Sequence, residues 1–522
     1  MNLLKAITTV GGYTLLSRVF GFVRDILIAN FLGAGMVADA FVVAFRLPNL
    51  FRRLFAEGAF AAAFVPLFSR ELEPGLGGDA EAARRRAQEF AEHAQSVLAL
   101  VLVAVVIVVE LAMPWVMAVM AGGFAAVPGK LALATDLSRI AFPYLLFISL
   151  VSLHSGVLNS LGKFAAAAAA PVLLNITLIA ALLGFAHRTE TAGHALSWGV
   201  FAAGVVQFLW LAWHCRESGF PLRLVRPRWS EKVALLVKRI LPVVFGASLY
   251  QINLLIGTIL ATYVADGAVA YLYYADRVTQ LPLGVVGVAV GTALLPMLSR
   301  QLKAGEDSAA MDSQNRGLEF ALLLTLPAAA AFLVIPHDII RVLFQHGAFD
   351  AAAADATARA LFAYATGLPA YVLIRVLTPG FYAREDTATP VRIAIGAMLV
   401  NIVLNLILMR VWGHEGIAAA ASVSAWVNVV ALYWVLWGRG HIALDARLRM
   451  RLPRIVLAAA GMAGVVEIAR QNLEFMMSSG LAGGATALCI LAAAGMASYF
   501  VFAVLLCAAS AQDAKAMFRR GG

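Results

Sequence analysis

Apolar runs long enough to cross a membrane recur along nearly the whole of this chain. A bilayer-spanning helix needs about 20 consecutive, mostly apolar residues, and such runs give fourteen candidate spans in the 522 residues. The spans lie near residues 10–32, 36–66, 93–121, 132–160, 166–186, 194–214, 238–264, 268–298, 317–336, 357–382, 391–411, 416–437, 452–470 and 483–508. Soluble globular proteins have about 25% charged residues, whereas this chain has 13% charged and 62% hydrophobic residues. The sequence therefore predicts an all-α polytopic membrane protein with fourteen transmembrane helices.

The distribution of charge between the spans predicts an orientation. Basic residues gather in the loops after even-numbered spans, as in RRR at 84–86 and the loop 216–239. The turns after odd-numbered spans are short and nearly uncharged. By the positive-inside rule, the basic loops and both termini face the cytoplasm. The net charge of +10 follows this pattern and does not indicate nucleic-acid binding. Because Arg18 interrupts the first apolar run and no small-residue cleavage site follows, we interpret this run as a retained span.

Two parts of the sequence resemble copies of one unit. ILIANFLGAG at 26–35 is followed by VPLFSR at 65–70, and TILATYVADG at 258–267 is followed by LPMLSR at 295–300. Six spans separate the copies, so both have the same orientation, as in parallel repeats related by an axis along the membrane normal. Chance similarity between apolar segments is the alternative. The repeat predicts two six-helix lobes related by a pseudo-twofold axis, at 1–215 and 216–437, with two extra C-terminal helices in 438–522.

The first two spans contain an unusual number of arginines. A centrally placed Arg costs about 2.5–3.5 kcal/mol on insertion scales, so these side chains must face protein or a water-filled cavity. A surplus of cations in such a cavity would bind an anion, which indicates a transporter of a negatively charged molecule. Pairing with Asp25 is the alternative for Arg24, and snorkelling or structural pairing is favoured for Arg46 and Arg53. The arginines are Arg18, Arg24, Arg46, Arg52 and Arg53.

Further polar residues extend this pattern. Asp39 and Asn49 lie on the same predicted stripe of the second span as Arg46. In the eighth span Arg277 adjoins Asp276, and we interpret Arg277 as the cation that the second lobe contributes. Arg375 in the tenth span is either a cavity residue or a structural partner.

Signals of enzyme chemistry are missing from the sequence. It contains no HExxH, no phosphate-binding glycine loop after a strand, and no Cys/His cluster with metal-ligand spacing. We therefore expect no enzymatic activity, no cofactor and no metal. A multidrug or cation antiporter is expected to present acidic groups to its substrate, whereas the predicted cavity here is basic.

Four stretches resemble one known family. They are SRVFGFVRD at 17–25, ADAFVVAFRLPNLFRRLFAEGAFAAAFVP at 38–66, YYADR with PLGVVGVAVGTALLP within 273–296, and PGFYAREDTATPV at 379–391. They look like the MurJ (MviN) flippases, and the similarity covers essentially the whole chain. The resemblance implies the fold of the multidrug/oligosaccharidyl-lipid/polysaccharide exporter superfamily. It also implies transport of lipid II, the undecaprenyl-diphosphate-linked peptidoglycan precursor, to the outer leaflet of the bacterial inner membrane. A polysaccharide-lipid flippase is a nearer alternative than an antiporter, but the second-span motif argues against it.

The resemblance also implies a set of substrate-cavity residues. Matched motif by motif, they are Arg18, Arg24, Asp25, Asp39, Asn49, Arg52 and Arg277. The family often has Glu where this chain has Gln280, which puts a proton- or cation-coupling role for that position in doubt. The two extra helices imply a groove for the lipid tail. The expected partners are lipid II, membrane lipids and cell-wall synthesis proteins, with the protein acting as a monomer.

Overall fold

The computed structural model describes residues 3–54, 60–74 and 79–508. These residues form helices joined by short loops, and no strand occurs among them. The predicted all-α class is therefore confirmed. The chain divides into two compact units, Met1–Ala270 and Tyr271–Gly522. Residues 55–59, inside the second predicted span, lie outside the described residues.

The described residues of the first unit form nine complete α-helices. They are α1 (Leu3–Leu32), α2 (Met36–Leu54), α3 (Phe60–Leu72), α4 (Ala80–Met120), α5 (Lys130–Ala141), α6 (Tyr144–Ser160), α7 (Phe164–Phe185), α8 (Ala192–Glu217) and α9 (Glu231–Ala261). Helix α1 packs mainly on α7, α2 packs on α5 and α8, and α9 packs against α2, α3 and α4. A short 3-10 helix, Gly122–Ala126, connects α4 to α5.

The remaining helices form the second unit. They are α10 (Ala268–Lys303), α11 (Asp307–Val334), α12 (Pro336–Phe344), α13 (Ala351–Tyr382), α14 (Ala388–Gly438), α15 (Ala446–Ser478) and α16 (Leu481–Leu505). Helix α13 packs on α14 and α11, and α15 packs on α16 and α11. The apolar core of this unit includes Leu298, Leu377 and Leu436, each at most 1% exposed.

The helices follow the predicted spans with local differences. The second span falls on α2 and α3. The fourth span is divided between α5 and α6 at Pro143. Helix α14 contains the eleventh and twelfth spans and is broken at Gly413, whose φ of 57° is readily adopted by glycine. Helix α12 was not predicted. The exact number of membrane spans, the lobe symmetry and the lobe boundaries stay predictions.

The outer surface of the helices is strongly apolar. In α4, Leu111, Trp115 and Val119 are each at least 70% exposed. Within the described ranges, nine helices are long and apolar enough to cross a membrane. Such helices satisfy their backbone hydrogen bonds internally, which the hydrocarbon core requires. The protein is a multi-pass membrane protein.

A charged network attaches helix α15 to helix α11. The carboxylate of Glu319 in α11 is 6% exposed and accepts hydrogen bonds from Arg316, Arg447 and Arg451. Arg316 also pairs with Asp445, which caps the first turn of α15. Helix α15 is thus fixed to α11 at its N-terminal end by paired charges.

Candidate functional site

The first polar cluster, called here the Arg24 node, comprises Arg24, Asp25, Asn175 and Ser17. Arg24 is 8% exposed and Asp25 is 3% exposed. Two nitrogens of Arg24, Nε and Nη2, donate to Asp25 Oδ1 at 3.0 and 2.7 Å. Its third nitrogen, Nη1, donates to Asn175 Oδ1 in α7 at 2.8 Å. The alternative of an Arg24–Asp25 ion pair is therefore confirmed, with an additional partner that the sequence did not indicate.

Asn175 fixes this arrangement by binding α1 twice. Its Nδ2 donates to the carbonyl of Ser17 at 2.9 Å, about two helical turns before Arg24. Gly21 lies beside it, and a Cβ there would be in ordinary van der Waals contact with Asn175 Nδ2, at 3.4 Å. The amide thus orients the guanidinium while joining α7 to α1. Asn175 is therefore a hydrogen-bonding residue between α7 and α1, as polar side chains in membrane helices commonly are.

The second cluster lies where α2 packs on α9. Arg46 donates to Thr258 Oγ1 at 3.0 and 2.6 Å from Nε and Nη2. One turn further on, Arg52 Nε donates to Asn49 Oδ1 at 2.9 Å. A small cleft, called here the α2–α9 cleft, opens beside these groups and is lined by Arg46, Asn49, Leu50, Gln251, Leu254 and Leu255. Two predicted site residues, Asn49 and Arg52, therefore lie together.

Two other arginines of the first spans are placed less specifically. Arg18 lies on an exposed face of α1. The side chain of Arg53 is outside the described part of the chain. The cavity roles predicted for Arg18, Arg24 and Arg52 stay predictions.

Asp39 belongs to a third cluster, called here the Asp39 node. Its carboxylate is 0% exposed and binds Lys130 Nζ at 2.6 Å. Lys130 also binds Asp266, at 2.5 Å. The backbone N–H groups of Gly267 and Ala270 each donate to Asp39 at 2.8 Å. Asp39 thus joins the start of α2 to the start of α5 and to the connection between α9 and α10.

The Asp39 node shows how a buried charge is tolerated in an apolar fold. Taking two ions out of water is costly unless the pair has good geometry and further hydrogen bonds. Lys130 meets these conditions with two carboxylates and with the ring of Phe124, 4.2 Å from Nζ. Gly267, with φ of 85°, turns its N–H toward Asp39.

Sequence reasoning missed Lys130 and Asp266. The available signal was their position, because both are charged residues in connections otherwise nearly free of charge. Their partner Asp39 lies 91 residues from Lys130, and no local spacing rule relates residues at that distance.

In the second unit, the predicted cation Arg277 stacks on an aromatic ring. Its guanidinium carbon lies 4.8 Å from the centroid of Tyr273, within cation–π range. Gln280 Nε2 donates to Asp276 Oδ2 at 2.5 Å. Gln280, which stands where the family often has Glu, is therefore a hydrogen-bond partner of Asp276. Arg375 is exposed on α13, and its role stays open.

Other intramembrane polar groups have structural partners. His154, 1% exposed, contacts the Leu150 carbonyl at 2.9 Å and packs edge-on against Phe208. Asn405 donates to Asn401 at 2.9 Å within α14. No group of three or more potential metal ligands occurs in the described ranges.

Cations inside the helices of a multi-pass membrane protein are the pattern expected of a transporter. Solved structures show which fold the helices have. One entitled "Lipid II flippase MurJ, inward closed conformation" has a TM-score of 0.78 and 24% identity, covering 95% of this chain and 98% of that one. An inward-facing multidrug resistance MATE family transporter of the MOP superfamily has a TM-score of 0.65 and 16% identity, covering 83% and 97%.

Sequence comparison then identifies the family. The profile described as "Lipid II flippase MurJ" matches residues 28–485. The probable lipid II flippase MurJ of Rhizobium meliloti (strain 1021) is 46% identical, covering 100% of this chain and 97% of the relative. The lipid II flippase MurJ of Burkholderia cenocepacia is 38% identical, covering 91% and 92%. The chain belongs to the lipid II flippase MurJ family.

Proposed function

We propose that this protein moves lipid II from the inner to the outer leaflet of the bacterial cytoplasmic membrane. The observation that carries the proposal is a full-length match to relatives named lipid II flippase in a chain with arginines inside its membrane helices. The multidrug transporters share the fold at 16% identity, which is evidence about architecture alone. Family membership therefore favours the flippase function over the antiporter alternative.

The chemistry of the Arg24 node suits a diphosphate. Arginine remains charged at any physiological pH, and its planar fork binds phosphate oxygens in pairs. A phosphate oxygen is an acceptor of the same kind as Asp25 Oδ1. Because a guanidinium carries five N–H donors, Arg24 can bind a phosphate oxygen while it stays paired with Asp25, so that neither buried charge is left uncompensated. We assign Arg18, Asn49 and Arg52 to the same substrate path in the first unit, and Arg277 to the second unit.

Transport requires that the polar headgroup be shielded while the lipid tail stays in the bilayer. We propose fourteen spans in two six-helix lobes with two further helices for the tail, and alternating access by movement of one lobe against the other. The loop 216–239 and both termini are assigned to the cytoplasm. Cysteine-accessibility mapping in intact cells tests this topology, and labelling of that loop from outside would contradict it.

The function is tested in cells depleted of their own flippase. The measurement is the amount of lipid II at the outer leaflet while its synthesis continues. Replacement of Arg24, Arg52 or Arg277 by Ala should abolish its arrival, and replacement by Lys should restore part of it if charge matters more than the bidentate fork. Arg188→Ala, in an exposed loop, is the matched control. Full transport by both Arg24→Ala and Arg277→Ala would reject the anion-site mechanism.

A further inference from the structure

An extended segment between α8 and α9, residues 218–230 and called here the strap, lies along helix α4. Its main-chain groups are held by α4 side chains at four successive positions. The contacts are Arg84 with the Gly219 carbonyl at 2.9 Å, Gln88 with the Pro221 carbonyl at 3.3 Å, Glu92 with the Arg223 amide at 3.3 Å, and Ser96 with the Val225 amide at 2.9 Å. The strap is thus a fixed part of the first unit.

An aromatic anchor fixes the start of the strap. Phe220 is 2% exposed and packs edge-on against Phe68 of α3, with ring centroids 5.8 Å apart. The guanidinium of Arg84 lies over the Phe220 ring, 4.8 Å from its centroid. Because one end is buried and the backbone is bonded, the orientation of the following residues is set by the fold.

The strap reaches the level at which α4 becomes apolar. Six extended residues span about 20 Å, close to the roughly 18 Å rise of twelve helical residues. The strap therefore runs alongside α4 from Arg84 to Ser96. The long apolar run of α4 begins at the next residue, Val97. Val225 and its neighbours consequently lie at the boundary between the polar and apolar parts of the helix.

The outward side of the strap combines large apolar groups with cations. Leu224 is 70% exposed and Trp229 is 65% exposed. Arg223, Arg226 and Arg228 are exposed between and beside them. Within the described ranges no ion pair involves these three guanidinium groups. Tryptophan favours the headgroup region of a bilayer, and basic segments beside a membrane are attracted to anionic lipids.

We propose that the strap is an interfacial lipid-binding loop. Leu224 and Trp229 enter the headgroup region of the adjoining leaflet, and Arg223, Arg226 and Arg228 bind anionic phospholipid headgroups. The connection between α8 and α9 is thereby attached to α4 on one side and to the leaflet on the other. This surface is separate from the Arg24 node, so its loss need not remove substrate recognition.

The test uses the full chain with a polarity-sensitive fluorophore at Leu224→Cys and the exposed Cys489 and Cys507 replaced by Ser. The protein is reconstituted in nanodiscs of phosphatidylcholine with and without phosphatidylglycerol, and quenching by headgroup-level spin-labelled lipid is measured. Phosphatidylglycerol should increase the quenching. Arg226→Gln and Arg228→Gln should each lower the ratio of lipid-bound strap to water-exposed strap by roughly fivefold, because each removes one cation near the anionic surface.

Two controls separate a specific strap from general surface charge. A fluorophore at Glu306→Cys, in the exposed turn between α10 and α11, should not respond to phosphatidylglycerol. Arg188→Gln should leave the signal at Leu224→Cys unchanged. If the variants with a substituted strap do not fold, the same measurement is made on the protein with an intact strap in about 1 M salt. The Debye length is then near 3 Å, so the strap should lose its preference for phosphatidylglycerol.

Two results would overturn the proposal. Equal quenching in both lipid compositions together with full access of aqueous iodide would place the strap in water. Protection from both the lipid quencher and iodide would show that a protein, either a partner or a second copy, covers the strap.

Discussion

At the residue scale, Asn175 determines how the Arg24 guanidinium is held. Asn175→Leu keeps a similar volume but removes the acceptor of Arg24 Nη1 and the donor to the Ser17 carbonyl. We expect the free energy of unfolding to fall by about 1–3 kcal/mol, because the buried guanidinium of Arg24 loses a hydrogen-bond partner. Lipid II transport should also fall, although Arg24 itself is intact.

The matched control for this prediction is Thr177→Val in the same helix. Thr177 donates within α7, to the Leu173 carbonyl, so its removal should change neither property. Thermal unfolding in detergent and outer-leaflet lipid II are measured for both variants. Equal behaviour of the two variants would show that Asn175 does not position Arg24.

A second prediction at this scale concerns Lys130. Lys130→Met leaves the buried carboxylate of Asp39 without its cation, a change that typically costs about 3–5 kcal/mol. Lys232→Met breaks the Lys232–Glu71 pair, whose side chains are 51% and 21% exposed, and should cost less than about 1 kcal/mol. Thermal unfolding compares the two variants. If the two variants lost similar amounts of stability, the Asp39 node would contribute no more to the free energy of unfolding than a surface ion pair does.

At the scale of an element, the short helix α12 carries a buried acid. Burial raises the pKa of Asp338 above its ordinary value of 3.8, and Arg470, His337 and Arg341 partly offset this. The folded protein therefore binds the proton more tightly than the unfolded chain. This contribution to stability is complete below the unfolded pKa and is lost as the pH rises through the folded pKa.

Asp338→Asn removes this titration. The variant should have a higher melting temperature than the parent at pH 7, and the difference should shrink as the pH approaches 4. Asp307→Asn, at the exposed start of α11, is the control and should not reproduce the effect. A variant less stable than the parent at neutral pH would show that the ionised carboxylate is stabilising.

At the scale of the whole molecule, the acids near the predicted substrate path are bound to permanent donors. Asp25 is paired with Arg24, and Asp276 accepts from the neutral amide of Gln280. Each of these carboxylates has a hydrogen-bond donor beside it in the structure. We therefore expect transport to follow the membrane potential, which favours outward movement of anions by about 2.3 kcal/mol per charge per 100 mV.

The measurement uses ionophores in cells or proteoliposomes. Collapsing the potential at a constant pH gradient should stop flipping, and collapsing the pH gradient alone should not. The reverse outcome would reject this coupling and would direct attention to Asp39, the acid without an adjacent Arg.

The sequence predicted those features that depend on neighbouring residues. The Arg24–Asp25 pair joins adjacent positions and was open to prediction as an alternative. Its partner Asn175 is 151 residues from Arg24, and Thr258 is 212 residues from Arg46. Many polar residues in other spans could have filled these roles, so the sequence left the choice undetermined.

The sequence by itself determined that this is a helical membrane protein with cations in its spans. Apolar length and charge distribution suffice for that conclusion, because a backbone in hydrocarbon must satisfy its own hydrogen bonds. The tertiary structure alone decided which charges meet, as where Lys130 joins Asp39 to Asp266 and the strap lies along α4. The physical reason is that ion pairs and hydrogen bonds depend on distances of a few ångströms, which are set only when helices remote in sequence pack together.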